Sequence, residues 1–215
     1  MLADNSIKLV IIDDHAVVRE GIKSTLKSDP VIHVIAEGST GRDAITISRQ
    51  HEFDVMVLDL ALPDRNGIDV LKQIRAEKPR AVVLIFAVQR EDEYAIRALK
   101  AGAAGYLNKQ CELALIQQAI RQVARGMKFV SAELAQALAN QVHHGFEDVP
   151  HKALSDREYQ TLTMIASGKS VSDIARELSL SVKTISEYRA RILSKMKMRH
   201  NAELTHYAIK NQLVE

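Results

Sequence analysis

Cysteine is almost absent from this chain, and long apolar runs are absent altogether. The single cysteine, Cys111, excludes an intramolecular disulfide. No apolar run approaches the roughly 20 residues that a membrane-spanning helix requires. A secretory signal-peptide pattern is also lacking, because charged residues follow the first apolar stretch within a few positions. These absences predict a protein of a reducing compartment, the cytoplasm, with no membrane partner.

The chain also lacks a strong excess of either charge, since its formal net charge is +2. The two parts nevertheless differ. Residues 1–150 carry 18 basic and 20 acidic side chains, whereas residues 151–215 carry 11 basic and 7 acidic ones. The basic C-terminal part suggests a nucleic-acid partner, although this asymmetry alone is weak support. A length of 215 residues predicts two domains, and an apolar fraction of 47% argues against disorder.

Short apolar runs alternate with segments of helical periodicity in the first part of the chain. The runs are Ile7 to Ile12, Val31 to Ala36, Val55 to Leu58, Ala81 to Val88 and Ala104 to Leu107. Five strands alternating with helices predict a parallel sheet with helices on both faces. We therefore expect an α/β doubly wound (βα)5 fold with strand order 2-1-3-4-5.

Acidic residues follow two of these runs. Asp13 and Asp14 follow the first run in IIDDH, and Asp59 follows the third in VMVLDLALP. The predicted strand order brings these strand ends together, and three like charges in one crevice need a cation such as Mg²⁺. Lys109, at the end of AAGYLNK, is suited both to an ion pair with these acids and to binding a phosphoryl group. The alternative is that each acid only ends a strand or caps a helix.

Taken together, these motifs resemble the receiver domain of two-component response regulators over roughly residues 7–125. The resemblance implies that Asp59 accepts phosphate from the phosphohistidine of a sensor histidine kinase, and that Lys109 binds a phosphoryl oxygen. It also implies a Mg²⁺ site formed by Asp14, Asp59 and the backbone carbonyl of Ala61, with Asp13 acting indirectly, through water. Such a protein is not an enzyme in the usual sense, because self-phosphorylation and self-dephosphorylation are its only reactions.

The switch positions depart from the family pattern. Ala87 stands where receivers normally have serine or threonine, whose hydroxyl binds the new phosphoryl group, whereas Tyr106 matches the family's aromatic switch residue. Because alanine has no hydrogen-bond donor in its side chain, we expect Asp59 to accept phosphate, but we expect phosphorylation to be coupled less tightly to output than in relatives with the hydroxyl. Two alternatives stay open: an atypical receiver that works without phosphorylation, and an enzyme with an aspartate nucleophile.

The interdomain boundary is expected in a polar stretch that is interrupted by glycine and proline. We predict a receiver domain over residues 1–126, a linker with a short helix over residues 127–150, and a second domain over residues 151–215. Cys111 is expected to be a buried small residue. His143, His144 and His151 lack ligand partners at fixed spacing and are interpreted as solvated linker residues.

The second domain has only helical signals. Ser155 and Glu158 form a predicted capping box, Gly168 ends that helix, and a second helix begins near Ser170. A basic third helix, from Val182 to about residue 197, completes a helix-turn-helix. The segment LSDREYQTLTMIASGKSVSDIARELSLSVKTISEYRARILSKM resembles the LuxR-type DNA-binding domain of the NarL/FixJ subfamily of response regulators.

The third helix is predicted to enter the major groove of promoter DNA. By spacing, the residues that face base edges are Lys183, Ser186, Glu187 and Ala190, and those that face phosphates are Thr184, Arg191 and Lys195. The alternative is a solvated charged face.

The last helix, near residues 201–211, has several small or apolar residues near one face: Ala202, Thr205, Ala208 and Ile209. In the subfamily this helix commonly pairs two DNA-binding domains, which predicts a homodimer, although packing within its own domain is an equal alternative. The expected function is a phosphorylation-controlled transcription factor with promoter DNA, a sensor histidine kinase and RNA polymerase as partners. A protein-interaction module is a further alternative.

Overall fold

The computed structural model of the protein describes residues 6–88, 93–131, 134–136 and 150–214. The chain forms two compact units, residues 1–140 and residues 141–215. Among the described residues, no helix is both long enough and apolar enough to cross a membrane.

A five-stranded parallel sheet forms the centre of the first unit. Its strands are β1 (Ile7–Ile12), β2 (Ile32–Gly38), β3 (Val55–Leu58), β4 (Val83–Ala87) and β5 (Gly105–Asn108). All neighbouring pairs are parallel, and the order β2-β1-β3-β4-β5 confirms the prediction. Every residue of β3 and β4 is buried, as expected for strands covered on both faces.

Helices cover both faces of this sheet. They are α1 (Ala16–Leu26), α2 (Gly41–Gln50), α3 (Gly67–Glu77), α4 (Glu93–Lys100) and α5 (Leu113–Ala124). On α1, Ile22 and Leu26 lie four residues apart and are buried, whereas Val17 is exposed. Val17 lies in the first turn, next to the carboxyl edge of the sheet, where no element packs over it in the described part of the chain.

The segment after α5 packs back onto the edge strand β5. The Phe129 amide donates to the Ala104 carbonyl at 3.0 Å, and the Tyr106 amide donates to the Phe129 carbonyl at 3.2 Å. A Cβ atom on Gly105 would lie 2.5 Å from the Phe129 carbonyl oxygen, so only glycine permits this approach. Leu134, farther along the segment, is buried in the core of the first unit.

The second unit is helical. A 3-10 turn (Pro150–Ala153) precedes α6 (Asp156–Ala166), α7 (Val171–Glu177), α8 (Val182–Lys195) and α9 (Asn201–Lys210). The capping box of Ser155 and Glu158 is present, and Gly168 follows α6 with φ of +84°. Ser170 and Ser181 cap α7 and α8 through their side chains. These features confirm the predicted helix-turn-helix.

One sequence interpretation in this unit was wrong. His151 is buried rather than solvated: its Nδ1 lies 2.8 Å from the Tyr207 hydroxyl, and its ring packs against Tyr159. The error arose because contacts between α9 and the start of the unit join residues far apart in sequence. Of the two alternatives for α9, packing within its own domain holds for Ala208, which is fully buried, whereas Ala202 and Ile209 are exposed. His143 and His144 lie outside the described residues.

Candidate functional site

Three aspartates meet at the carboxyl edge of the sheet. Asp13 and Asp14 follow β1, and Asp59 follows β3. The Asp59 amide donates a hydrogen bond to the Ile12 carbonyl at 2.9 Å, which aligns the ends of these two strands. Each of these three aspartates and His15 offers a ligand atom, and the four atoms lie within 4.8 Å of one another. The parallel topology therefore gathers the predicted carboxylates in one place.

Lys109 lies between two of these carboxylates. Its Nζ is 2.7 Å from Asp13 Oδ2 and 2.8 Å from Asp59 Oδ2, and all three side chains are nearly inaccessible to solvent. Burial alone would lower the pKa of Lys109, but the charge of Asp59 and the hydrogen bonds to both aspartates outweigh it and raise that pKa. Lys109 is therefore a cation at neutral pH.

The remaining Asp59 oxygen is held by the backbone. Asp59 Oδ1 accepts a hydrogen bond from the Leu60 amide at 2.7 Å. The chain then turns so sharply that a Cβ atom on Gly67 would lie 2.2 Å from the Asp59 carbonyl oxygen. The buried carboxylate is thus fixed on one side by Lys109 and on the other by the turn after β3.

His15 is a site residue that the sequence reasoning missed. Its Nδ1 lies 2.6 Å from Asp14 Oδ1 and 3.5 Å from Asp13 Oδ1, while its amide donates to Asp13 Oδ1 at 2.9 Å. The available signal was its position directly after the acidic pair. The imidazole is largely exposed and lies beside Asp14.

Arg19 was also missed. Its Nη1 donates to the Asp13 carbonyl at 2.7 Å, and its Nε donates to Glu37 Oε2 at 3.0 Å. Hydrogen bonds from Lys23 and then Arg19 lower the pKa of Glu37, so that carboxylate stays charged and holds the guanidinium. This arrangement fixes the backbone at the end of β1, where the two aspartates begin.

The two residues predicted to act as a switch, Ala87 and Tyr106, lie on neighbouring strands of the sheet. Ala87 ends β4, is fully buried, and its carbonyl accepts a hydrogen bond from the Lys109 amide at 2.8 Å. Tyr106 on the neighbouring strand is also fully buried, and both residues belong to the core that contains Leu134. Ala61 lies in the exposed turn and forms an isolated bridge with Asn66.

The donor set suits a hard divalent cation. Three carboxylates and one ammonium leave the cluster with excess negative charge, and oxygen ligands are those that Mg²⁺ prefers. Asp14 is partly exposed, so the cluster is open to solvent on that side.

Helix α8 presents one exposed stripe. Lys183, Ser186, Glu187 and Ala190 are exposed at successive helical spacings, whereas Ile185 and Ile192 are buried on the opposite side. Two of the residues predicted to face phosphates differ in exposure. Arg191 is exposed, with Nη2 3.9 Å from Glu187 Oε2, whereas Thr184 is half-buried and its hydroxyl lies 2.8 Å from that of Ser181.

Lys195 has an internal partner that the sequence did not predict. Its Nζ lies 2.6 Å from Glu158 Oε2, and Glu158 is buried in the cap of α6. Arg189 donates to Asn201 Oδ1 at 2.6 Å and joins α8 to α9. The basic side chains of α8 are therefore divided between the exposed stripe and contacts within the domain.

Comparison with known proteins agrees with this arrangement. Residues 9–121 match the response regulator receiver domain, and residues 152–208 match the family of bacterial regulatory proteins described as the luxR family. The phosphoryl-transfer enzyme considered from the sequence finds no support in these matches.

Full-length relatives share both parts. The response regulator UvrY of Escherichia coli K12 is 34% identical over 208 residues, covering 96% of this chain and 95% of that protein. The response regulator GacA of Pseudomonas aeruginosa PAO1 is 34% identical over 210 residues, covering 97% and 98%. A solved structure of the RcsB response regulator of Salmonella typhimurium is 25% identical, with a TM-score of 0.60, and covers 94% of this chain and 98% of that one. The chain therefore belongs to the NarL/FixJ family of two-component response regulators and is a DNA-binding transcription regulator.

Proposed function

We propose that Asp59 is the phosphoacceptor of this regulator and that a sensor histidine kinase supplies the phosphoryl group. The observation that supports this most is the position of Lys109, whose ammonium bridges the buried carboxylates of Asp13 and Asp59 at the open edge of the sheet. A buried aspartate beside a cation and next to an acidic cluster has the groups that phosphoryl transfer to a carboxylate needs.

A bound Mg²⁺ would be held by Asp14, Asp59 and the backbone carbonyl of Ala61, with Asp13 acting indirectly through water. When bound, the ion would supply positive charge to the oxygens of the transferring group. Asp13 would keep its hydrogen bond to Lys109, so the ammonium stays at the site while its contact with Asp59 is exchanged for a phosphoryl oxygen. The cytoplasm, where bacterial DNA is found, is the proposed location.

The reaction is an exchange of one bond for another. An Asp59 carboxylate oxygen forms the new bond to phosphorus, while the bond from phosphorus to the kinase histidine nitrogen breaks and that nitrogen keeps the electron pair. We propose that small phosphodonors such as acetyl phosphate replace the kinase, and that attack of water on the acyl phosphate later restores the carboxylate. These are the self-phosphorylation and self-dephosphorylation expected of a receiver.

On the output side, we propose a receiver over residues 1–126, a connection over residues 127–150 and a DNA-binding domain over residues 151–215. The exposed stripe of Lys183, Ser186, Glu187 and Ala190 would face base edges of promoter DNA, and Arg191 and Thr184 would face phosphates. Lys195 would act mainly within the domain. The active form would be a homodimer that acts on RNA polymerase at its promoters.

Incubation with acetyl phosphate and Mg²⁺ tests the phosphoacceptor. We expect the intact mass of the wild type to rise by one phosphoryl group, and no rise in Asp59→Ala. Asp54→Ala is the matched control, because Asp54 directly precedes the same strand and accepts a hydrogen bond from the Lys8 amide. Phosphorylation of Asp59→Ala, or none of the wild type, would contradict the assignment.

A further inference from the structure

The turn that follows Asp59 is fastened at its tip to a different helix. Asp64 lies in this turn, between β3 and α3. Its Oδ1 accepts a hydrogen bond from the Gly41 amide at 2.7 Å, and its Oδ2 accepts one from the Arg42 amide at 3.0 Å. Both amides belong to the first turn of α2, so a single carboxylate joins two elements that are distant in sequence.

Asp64 completes the cap of α2. The first four amides of a helix lack acceptors within it. Thr40 and Asp43 satisfy two of them reciprocally, since the Asp43 amide donates to Thr40 Oγ1 and the Thr40 amide donates to Asp43 Oδ2, each at 3.0 Å. Asp64 accepts from the other two, and its negative charge also lies at the favourable end of the helix dipole. The N-terminus of α2 is therefore satisfied only with the turn in its present place.

The opposite end of the turn is fixed to the phosphoacceptor. The Leu60 amide donates to Asp59 Oδ1, the Gly67 amide donates to the Leu60 carbonyl at 2.9 Å, and Ala61 forms a bridge with Asn66. The turn is thus a closed loop with Asp59 at its base and Asp64 at its tip. Movement of the tip changes the path of the backbone that carries the Ala61 carbonyl.

Little free space remains where the tip meets α2. A Cβ atom on Gly41 would lie 2.7 Å from Val70 Cγ2 and 3.1 Å from Arg65 Cβ. These distances are shorter than ordinary van der Waals contact, so glycine lets the turn approach the helix closely enough for the two hydrogen bonds from Asp64.

The geometry points to Asp64 as a positioning residue for the Mg²⁺ and phosphoryl site. By anchoring the turn to α2, Asp64 holds the Ala61 carbonyl and the Asp59 carboxylate in the arrangement that binds the cation, although it touches neither cation nor phosphoryl group. This inference rests on the proposed function of Asp59. Residues that orient metal ligands commonly change metal affinity by about 10- to 100-fold when they are replaced.

Titration of the full-length chain with MgCl₂, followed by calorimetry, tests this role. We expect Asp64→Ala to weaken Mg²⁺ binding about tenfold. Asp64→Asn keeps one carbonyl oxygen as an acceptor for one of the two amides, and we expect it to bind with intermediate affinity. The rate of phosphorylation by acetyl phosphate at limiting Mg²⁺ should follow the same order, and the differences should shrink as Mg²⁺ becomes saturating.

Asp43→Ala is the matched control. It removes the other carboxylate from the same helix N-terminus and lowers helix stability, but it leaves the turn after Asp59 anchored. We expect wild-type Mg²⁺ affinity in Asp43→Ala. Equal affinities in Asp64→Ala and Asp43→Ala would overturn the positioning role alone, since wild-type binding and phosphorylation would remain. A wild-type chain that neither binds Mg²⁺ nor accepts phosphate would overturn the proposed function and this inference with it.

Discussion

Lys109 is a single residue whose charge stabilises the buried part of the acidic cluster in the absence of metal. Its ammonium is the cation that contacts both Asp13 and Asp59 among the described residues. Buried carboxylates without a paired cation are costly, because charge removed from water must be compensated. The same ammonium also contacts carboxylate oxygens that a divalent cation would bind.

Replacement of Lys109 by glutamine should therefore show whether the lysine and a metal ion compete for the same carboxylate oxygens. We expect Lys109→Gln to lower the free energy of unfolding by about 3–5 kcal/mol, as removal of one partner of a buried pair does. Millimolar Mg²⁺ should then raise the thermal midpoint of the variant more than that of the wild type. Lys78→Gln, which removes an exposed pair with Glu52, is the control and should respond to Mg²⁺ as the wild type does. A smaller Mg²⁺ response in Lys109→Gln would contradict the competition.

Lys195 and Lys183 lie on the same helix but should have different roles. Lys195→Gln leaves buried Glu158 without its cation and should destabilise the second domain by about 1–3 kcal/mol, a range reduced because Lys195 is partly exposed. Lys183→Ala should leave stability unchanged but weaken DNA binding and relax the preference for the base that Lys183 contacts. Thermal unfolding measures stability, and DNA titration on sites with single base changes measures that preference. Loss of stability in Lys183→Ala, or none in Lys195→Gln, would contradict this division.

The same pair gives the second domain a pH dependence. Burial would raise the pKa of Glu158, but hydrogen bonds from Lys195 and Ser155 outweigh it and lower that pKa. A depressed carboxyl pKa contributes stability that is present above the ordinary value of about 4.5 and is lost as pH falls through the folded-state value. We expect the domain's thermal midpoint to fall below about pH 4.5, and this part of the fall to be absent in Glu158→Gln. An unchanged acid profile in Glu158→Gln would contradict it.

At the scale of elements, the segment after α5 behaves as an extension of the sheet. Phe129 pairs with the edge strand β5, and Gly105 permits that pairing. We expect Gly105→Ala to lower the free energy of unfolding by about 1–3 kcal/mol, because its methyl group overlaps backbone, and to speed hydrogen exchange at the Phe129 and Tyr106 amides. Gly21→Ala adds the same methyl group to α1 where nothing lies within 4 Å and should not destabilise. Unchanged exchange in Gly105→Ala would show that the pairing contributes little.

Elements with strong local signals could be predicted, and those defined by distant contacts could not. The bounds of β1 and β3 match their apolar runs because polar residues flank both. The run predicted for β4 was too long, since Ala81, Val82 and Val88 are apolar but lie outside the paired strand. The convergence of the aspartates followed from strand order, whereas the buried His151 and the Lys195–Glu158 pair depend on contacts 56 and 37 residues apart.

At the scale of the whole molecule, the property to explain is the coupling between the proposed phosphorylation of the receiver and the DNA affinity of the second domain. Ala87 lies beside Lys109 and has no hydroxyl, while Tyr106 on the next strand is buried in the same core. A ligand shifts an equilibrium between two states only by the difference in its contacts with them. Without a hydroxyl at position 87, a phosphoryl group on Asp59 would have fewer contacts that distinguish the two states.

Ala87→Thr should strengthen this coupling. We expect the ratio of DNA affinities between phosphorylated and unphosphorylated protein to be about fivefold larger than in the wild type, at the low end of allosteric couplings. Ala87→Val is the matched control, because valine has the shape of threonine without its hydroxyl. A gain of the same size in both variants would assign the effect to packing rather than to the hydroxyl.

The most direct test of phosphorylation control is the DNA affinity of the full-length chain with and without acetyl phosphate and Mg²⁺, on a site selected by the wild type from random duplexes. We predict a change of at least about fivefold in the wild type and none in Asp59→Ala, whose unphosphorylated affinity should match that of the wild type. An equal change in both proteins, or no change in a wild type shown by mass to be phosphorylated, would contradict the account.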